Sequence, residues 1–319
     1  MEAGDIITLT AGAWRLQARL NSSSYGEVWR AASVLDGTPA AVKLVNRAQM
    51  DQALPPKRAL WRASFDAEIA FLRGLQPWDQ RHIVRLLDSG DHDGLPALAL
   101  ELLDGDLAAH LATLRNRGAG PHAGQALAWT AQVNGALAKV HQYGWRYLDL
   151  KPANLLVDAR AGALKLADFG TNRQLADSTA HSYAGTAAWQ APEQFFPDDA
   201  GRYRTDARSD YFALGALLYT IVTGVPLRYC AACADAYRAH GPAGAAALRP
   251  MPAILAPDEA ALFLGRVPAR DHDGVLVLLR SLLAPRPEHR PRHALEVSRL
   301  IARAARDLDR APVLFRSAA

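Results

Sequence analysis

Tyr147-Leu148-Asp149-Leu150-Lys151-Pro152-Ala153-Asn154-Leu155-Leu156-Val157 is followed by Leu164-Lys165-Leu166-Ala167-Asp168-Phe169-Gly170, and then by Gly185-Thr186-Ala187-Ala188-Trp189-Gln190-Ala191-Pro192-Glu193. A carboxylate, an ammonium, an amide and a second carboxylate fall within about twenty residues, the set that phosphoryl transfer from a magnesium nucleotide requires. Asp149 would receive or orient the proton of an acceptor hydroxyl. Lys151 would neutralise the moving phosphoryl group, and Asn154 and Asp168 would hold the metal ions.

The order and spacing of these segments resemble the catalytic core of the eukaryotic-like (Hanks-type) serine/threonine protein kinases. The resemblance implies an α+β, bilobal fold: a small antiparallel-sheet lobe with one main helix, and a larger, mostly helical lobe. Ala41-Val42-Lys43 reads as the third strand of that sheet, with Lys43 aimed at the nucleotide α/β-phosphates. Phe65, Ile69 and Leu72 recur at helical spacing, which turns Glu68 toward Lys43. The boundaries that follow are an N-terminal extension over 1–13, the small lobe over 14–103, the large lobe over 104–305 and a tail over 306–319. An additional segment near 51–64, with Pro55-Pro56, precedes the Glu68 helix.

The phosphate-covering loop departs from the family pattern L-G-x-G-x-[FY]-G-x-V. Here it reads Leu20-Asn21-Ser22-Ser23-Ser24-Tyr25-Gly26-Glu27-Val28, so only the third glycine, Gly26, is kept. Backbone N–H groups approach phosphate closely only where no bulky side chain intervenes. Asn tolerates a left-handed backbone and Ser is small with a hydroxyl to donate, so the loop can still close over ATP, less tightly. The resemblance assigns nucleotide contacts to Leu20, Ser23, Gly26 and Lys43. It also implies that Val28, Ala41 and Leu156 sandwich the base, that the backbone of Glu101-Leu102-Leu103 faces adenine with Leu100 behind, and that Asp106 reaches the ribose.

Composition adds an independent argument. Of the 36 basic residues only Lys43, Lys57, Lys139, Lys151 and Lys165 are lysine. Two of them stand where a compact ammonium is wanted and a planar guanidinium is no substitute, which favours a working site over a decayed one. At 319 residues and 50% hydrophobic the chain can bury a full core. A net charge of +4 without a concentrated basic stripe gives no reason to expect nucleic acid as a partner. No basic patch precedes an apolar run at the N-terminus, and the apolar stretch over 211–222 is too short to span a bilayer. A soluble, cytoplasmic protein is therefore expected, without a membrane anchor. Cys230 and Cys233 form a C-x-x-C, but the further ligands of a zinc site and a thioredoxin-like context are both missing, so the plain reading is a pair of buried thiols.

Beyond the central block, Asp210 resembles the residue that braces the catalytic loop from below, and Arg290 the partner of Glu193. Residues 224–274, rich in Ala, Pro and Gly, are expected to form irregular loops and short helices where a docking partner could sit. Tyr147 is expected in an apolar stack with Phe169, Leu72 and Leu86. The family usually has His-Arg where this chain has Tyr147-Leu148, and leucine cannot pair with a phosphate on the activation loop. The resemblance thus implies a non-RD kinase whose activity does not depend on loop phosphorylation at Ser178, Thr179 or Ser182. Lys151 and Thr186, the latter placed to hydrogen-bond Asp149 and Lys151, match the serine/threonine branch. A protein Ser/Thr hydroxyl, the chain's own included, is the implied acceptor, with ATP and Mg²⁺ (or Mn²⁺) as cofactors. The weak loop and Tyr147-Leu148 leave open a pseudokinase that binds ATP as a scaffold. A small-molecule kinase is the third reading, opposed by Ala191-Pro192-Glu193 with Arg290.

Overall fold

The computed structural model describes residues 1–22, 26–177, 179, 185–269 and 272–305. The chain forms two compact units, Met1–Asp104 with Ala167–Gly170, and Gly105–Leu166 with the chain from Thr171 onward.

The first unit is built on β1 (Ile6–Thr8), β2 (Ala13–Ser22), β3 (Gly26–Ser33), β4 (Pro39–Val45), β5 (Leu86–His92) and β6 (Leu95–Glu101), with α1 (Arg47–Gln52) and α2 (Pro55–Gly74) between β4 and β5. The strands pair antiparallel in the order β1-β2-β3-β4-β6-β5. Strand β4 shows why: Ala40, Val42 and Leu44 alternate into a core that includes Trp14, Leu16 and Trp29. Ala41 and Lys43 then point to the opposite face, as a period of two demands.

Two features differ from the sequence reading. Lys43 lies on the fourth strand, because Ile6–Thr8 adds a strand in front, paired with Ala13–Arg15. Asp88 ties that extension down: its carboxylate accepts the N–H groups of Ala11 (3.0 Å) and Gly12 (3.1 Å) and the Trp14 indole N–H (3.2 Å). The segment near 51–64 is not a separate insertion ahead of the Glu68 helix. From Pro55 it belongs to the same 20-residue helix α2, with proline at the first turn, where its missing N–H and fixed φ do no harm. Trp61, Phe65, Glu68, Phe71 and Leu72 are the buried face of α2.

The second unit contains α3 (Leu107–Asn116), α4 (Ala123–Gln142), β7 (Trp145–Arg146), β8 (Leu155–Asp158), β9 (Ala163–Leu166), β10 (Arg173–Gln174), α5 (Pro192–Phe195), α6 (Ala207–Thr223), α7 (Arg228–His240), α8 (Gly244–Ala247), α9 (Pro257–Leu264), α10 (His272–Leu282) and α11 (Ala294–Ala304). Helix α6 is buried without interruption from Ser209 to Ile221, the signature of a central core helix. Gly215 lets α10 approach it: a Cβ there would stand 2.8 Å from Leu282 Cβ. Asn134 of α4 donates to Ala294 O (3.0 Å) and Ser298 Oγ (2.9 Å), fixing α11.

Residues 224–274 are more regular than their composition suggests, because α7 runs for 13 residues. Tyr229, Cys230, Cys233 and Ala236 are its buried stripe, so the C-x-x-C spacing is that of one helix face. Burial pushes both thiols up, that of Cys233 to about 12, and they stay protonated. Among the described residues no single helix is long and apolar enough to cross a membrane; α6 with the chain to Ala247 would pass only as a pair bent by 110°.

Candidate active site

In the first unit the site begins with Lys43. Its Nζ lies 2.7 Å from Glu68 Oε2 and 2.8 Å from Asp168 Oδ1, and 5.3 Å from the centroid of the Phe65 ring. Burial acts to lower the Lys43 pKa, but the two carboxylates outweigh it and hold the ammonium above its ordinary value. Glu68 is fully buried. Burial pushes its carboxyl up, opposed by the ammonium of Lys43 against it. Its other oxygen accepts the Phe169 N–H at 3.2 Å.

The Asp168-Phe169-Gly170 segment is fixed on this unit by Lys43 and Glu68, and by Phe71 and Ser64 as well. Phe169 packs on Phe71 with ring centroids 4.5 Å apart. Ser64 Oγ donates to Gly170 O at 2.6 Å, and a Cβ on Gly170 would stand 2.4 Å from that hydroxyl. Asp168 itself has φ +59°, a backbone region that non-glycine residues adopt rarely. Its carboxylate is half-exposed.

The second group lies wholly within the second unit. Thr186 Oγ1 donates to Asp149 Oδ1 (2.7 Å) and accepts from Lys151 Nζ (2.8 Å), which also lies 2.8 Å from Asp149 Oδ2. Asn154 Nδ2 donates to the Asp149 carbonyl (2.9 Å) and to Oδ2 (3.1 Å). One carboxylate thus gathers a hydroxyl, an ammonium and an amide.

The strand-like run before Asp149 is held in an unusual conformation. Leu148 has φ +67°. Asp210 accepts its N–H at 2.7 Å and that of Tyr147 at 2.9 Å. The Gln194 amide donates to Leu148 O at 3.0 Å, and Gly185 sits so close that a Cβ would be 2.6 Å from that oxygen. His141, which the sequence reading did not single out, holds Asp210 in turn through Nε2 at 2.8 Å. Phe71 and Gln194 were likewise missed. Their only sequence signal was helical or loop position next to a named residue.

Beside this group Glu193 and Arg290 form a two-pronged pair at 2.7 and 2.9 Å. Arg290 also donates to the carbonyls of Ala284, Arg208 and Pro285 and lies 5.0 Å over the Phe212 ring. Ser209 Oγ adds a bond to Glu193 Oε1 at 2.7 Å.

The remaining sequence-predicted contacts divide between the units. Leu20, Gly26, Val28, Ala41, Leu100, Glu101 and Leu103 belong to the first; Asp106 and Leu156 belong to the second. Val28 pairs with Lys43 across β3 and β4, and Ala41 with Leu100 across β4 and β6. Leu20 is exposed. Gly26 is closely packed, since a Cβ would meet Leu44 O at 3.0 Å and the Phe65 ring at 3.2 Å. Glu101 Oε1 accepts the Arg85 N–H at 2.8 Å. Asp106 caps α3 through Oδ1, which accepts from Ala109 N at 2.8 Å. Ser23, Ser178 and Ser182 lie outside the described residues.

A divalent metal of the magnesium type takes oxygen donors, carboxylates first. The half-exposed carboxylate of Asp168 and the side-chain amide of Asn154, oriented by Asp149 through its nitrogen, have that donor chemistry.

The sequence profile of the protein kinase domain matches residues 14–296. Among curated relatives, the chain is 32% identical over 213 residues to serine/threonine-protein kinase PknL of Mycobacterium tuberculosis, covering 66% of this chain and 49% of that protein. It is 37% identical over 225 residues to serine/threonine-protein kinase PkaA of Streptomyces coelicolor, covering 66% and 39%. The chain therefore spans about half the length of these relatives, or less. Among solved structures, the PknI kinase domain of Mycobacterium tuberculosis has the same fold, with a TM-score of 0.61 at 24% identity over 96% of this chain and 99% of that one. Catalytic-loop geometry, the Lys43–Glu68 pair and a domain match over most of the sequence agree, and the chain belongs to the protein kinase domain family.

Proposed function

We propose that the chain is an ATP-dependent protein serine/threonine kinase. The observation that carries the proposal is the triangle of Asp149, Lys151 and Thr186, in which every polar atom has a partner suited to phosphoryl transfer. A serine or threonine hydroxyl of a protein, this chain's own included, would be received at Asp149, with Thr186 helping to set it there. Its proton passes to the carboxylate as the new O–P bond forms and the bond from the γ-phosphorus to the β,γ-bridging oxygen breaks. Lys151 offsets charge on the transferring group. Lys43, oriented by Glu68, would hold the α/β-phosphates, and Val28, Ala41, Leu100 and Leu156 the adenine. The backbone of Glu101 and Leu103 would pair with its edge, and Asp106, capping α3 through one oxygen, would offer the other to the ribose. Magnesium, or manganese in its place, would bind the nucleotide phosphates at Asn154 and Asp168 and draw off charge.

The serine/threonine specificity rests on Lys151 and Thr186 and on the names of the relatives. Leu148 offers no cation to a loop phosphate, so loop phosphorylation is not required. With ATP as co-substrate, the reaction would take place in the cytoplasm.

The test is transfer of the γ-phosphate of ATP to the chain and to a generic basic protein. Asp149→Ala and Lys43→Met run alongside. Phosphoserine or phosphothreonine from the wild type, reduced at least about 100-fold in both variants, supports the assignment. If the wild type transfers nothing while ATP still raises its melting temperature, the chain is an ATP-binding pseudokinase.

A further inference from the structure

Arg146 and Arg173 are direct partners across the two-residue antiparallel pair of β7 and β10. Like charges opposite one another destabilise a ladder, and Arg146 is 1% exposed, so the arrangement calls for an anion. Asp177 supplies it. Its Oδ2 accepts from Arg173 at 2.7 Å, and its carbonyl accepts from Arg146 at 2.9 Å. Its Oδ1 accepts the Thr179 N–H at 3.1 Å and also takes the Thr179 hydroxyl. The bonds from Thr179, and after them Arg173, hold the Asp177 carboxyl down at about 2. Burial, and then Arg173 beside it, pulls the Arg146 guanidinium below its ordinary value, so the pair gains from a fixed counter-charge.

Leu148, by contrast, is buried, carries no charge and makes its hydrogen bonds through its backbone. The cationic group of this loop thus stands two residues earlier in the chain than the family pattern places it. It is met by the backbone carbonyl of Asp177, whose carboxylate takes Arg173 opposite it.

We propose that Arg146, Arg173 and Asp177 form a phosphate-independent clamp on the segment following Asp168-Phe169-Gly170, with Asp177 as a positioning residue for transfer at Asp149, Lys151 and Thr186. The effect on rate rests on the kinase reading; the effect on the segment does not. The clamp also fixes the sign of a modification. A phosphate on Thr179 would bring a charge of about −1.5 to −2 beside Asp177, in competition for Arg173, and would loosen the segment. An activating phosphate is the rival outcome. It has some footing in the buried Nε atoms of Arg146 and Arg173, which have no partner among the described residues.

The experiment uses the phosphatase-treated full chain, with kcat and KM for ATP and for a basic protein substrate, and hydrogen exchange over residues 171–179. Asp177→Asn is expected to lower kcat by about tenfold or more at unchanged KM for ATP, and to speed exchange in that segment. Asp177→Glu restores both, and Thr179→Glu lowers kcat. Should Asp177→Asn fail to fold, Arg173→Gln carries the same expectation. The clamp is overturned by wild-type exchange and kcat in Asp177→Asn, by a fall in ATP affinity matching the fall in kcat, or by a faster Thr179→Glu. If the untreated wild type transfers no phosphate, the kinase reading fails, and exchange alone decides for or against the clamp.

Discussion

Leu148 has φ +67°, and its surroundings explain how a leucine tolerates it. A side chain in that region costs about 1–3 kcal/mol. The Asp210 carboxylate and the Gln194 amide satisfy both backbone groups of Leu148 there. Gly185 is the third support, with φ +98° and no room for a Cβ against Leu148 O. Gly185→Ala should therefore destabilise the chain by about 1–3 kcal/mol and lower transfer as well, because Asp149 follows Leu148. A variant that melts and turns over like the wild type would rule out this support. Lys43 gives a second residue-level expectation. Two carboxylates at 2.7 and 2.8 Å fit a point charge, so Lys43→Arg should not rescue activity and should lose at least about tenfold. Near-wild-type rates in Lys43→Arg would count against the assigned role. The residues gathered at Asp149 were legible in the sequence because their order is itself the motif. Phe71, Gln194 and His141 were not, since each is recruited by a neighbour distant in the chain.

At the level of elements, periodicity found the helix that carries Glu68 but not its start at Pro55, where proline occupies the first turn. Strand β1 was invisible for a different reason: three residues carry too little pattern, and Asp88, far along the chain, secures the extension behind them. The seam that joins α5, α6 and the segment before α11 was read correctly as a Glu193–Arg290 pair, and the structure adds its depth. The Arg290 side chain is fully buried. Removing one partner of such a pair strands the other charge, at about 3–5 kcal/mol, whereas replacing both by apolar groups is far milder. Arg290→Met alone should therefore lower the melting temperature by about 10 °C, and Glu193→Leu with Arg290→Met should recover much of that loss. A double variant as unstable as the sum of the two single ones would show that the pair acts through its packing and backbone bonds rather than its charge.

For the whole molecule, chain order and spatial membership part company at one place. A linear division at residue 103 puts Asp168 with the helical part, yet Ala167–Gly170 clusters with the first unit, held by Lys43, Glu68, Ser64 and Phe71. No pattern along the sequence announces a contact of that range; only the meaning of the motif does. This matters for ligand binding, because the Asp168 carboxylate is paired with Lys43. A nucleotide alone would bring its phosphates to Lys43 in competition with that carboxylate, so metal and nucleotide should bind as a unit. A non-hydrolysable ATP analogue with Mg²⁺ at about 100 times its Kd should stabilise the fold by about 2.7 kcal/mol, a rise of about 5 °C in melting temperature. EDTA should remove most of that rise, and Asp168→Asn should remove most of it even with Mg²⁺ present. Full stabilisation by the analogue in EDTA would mean that Lys43 and the sheet hold the nucleotide without metal, and that Asp168 serves the Lys43–Glu68 pair instead.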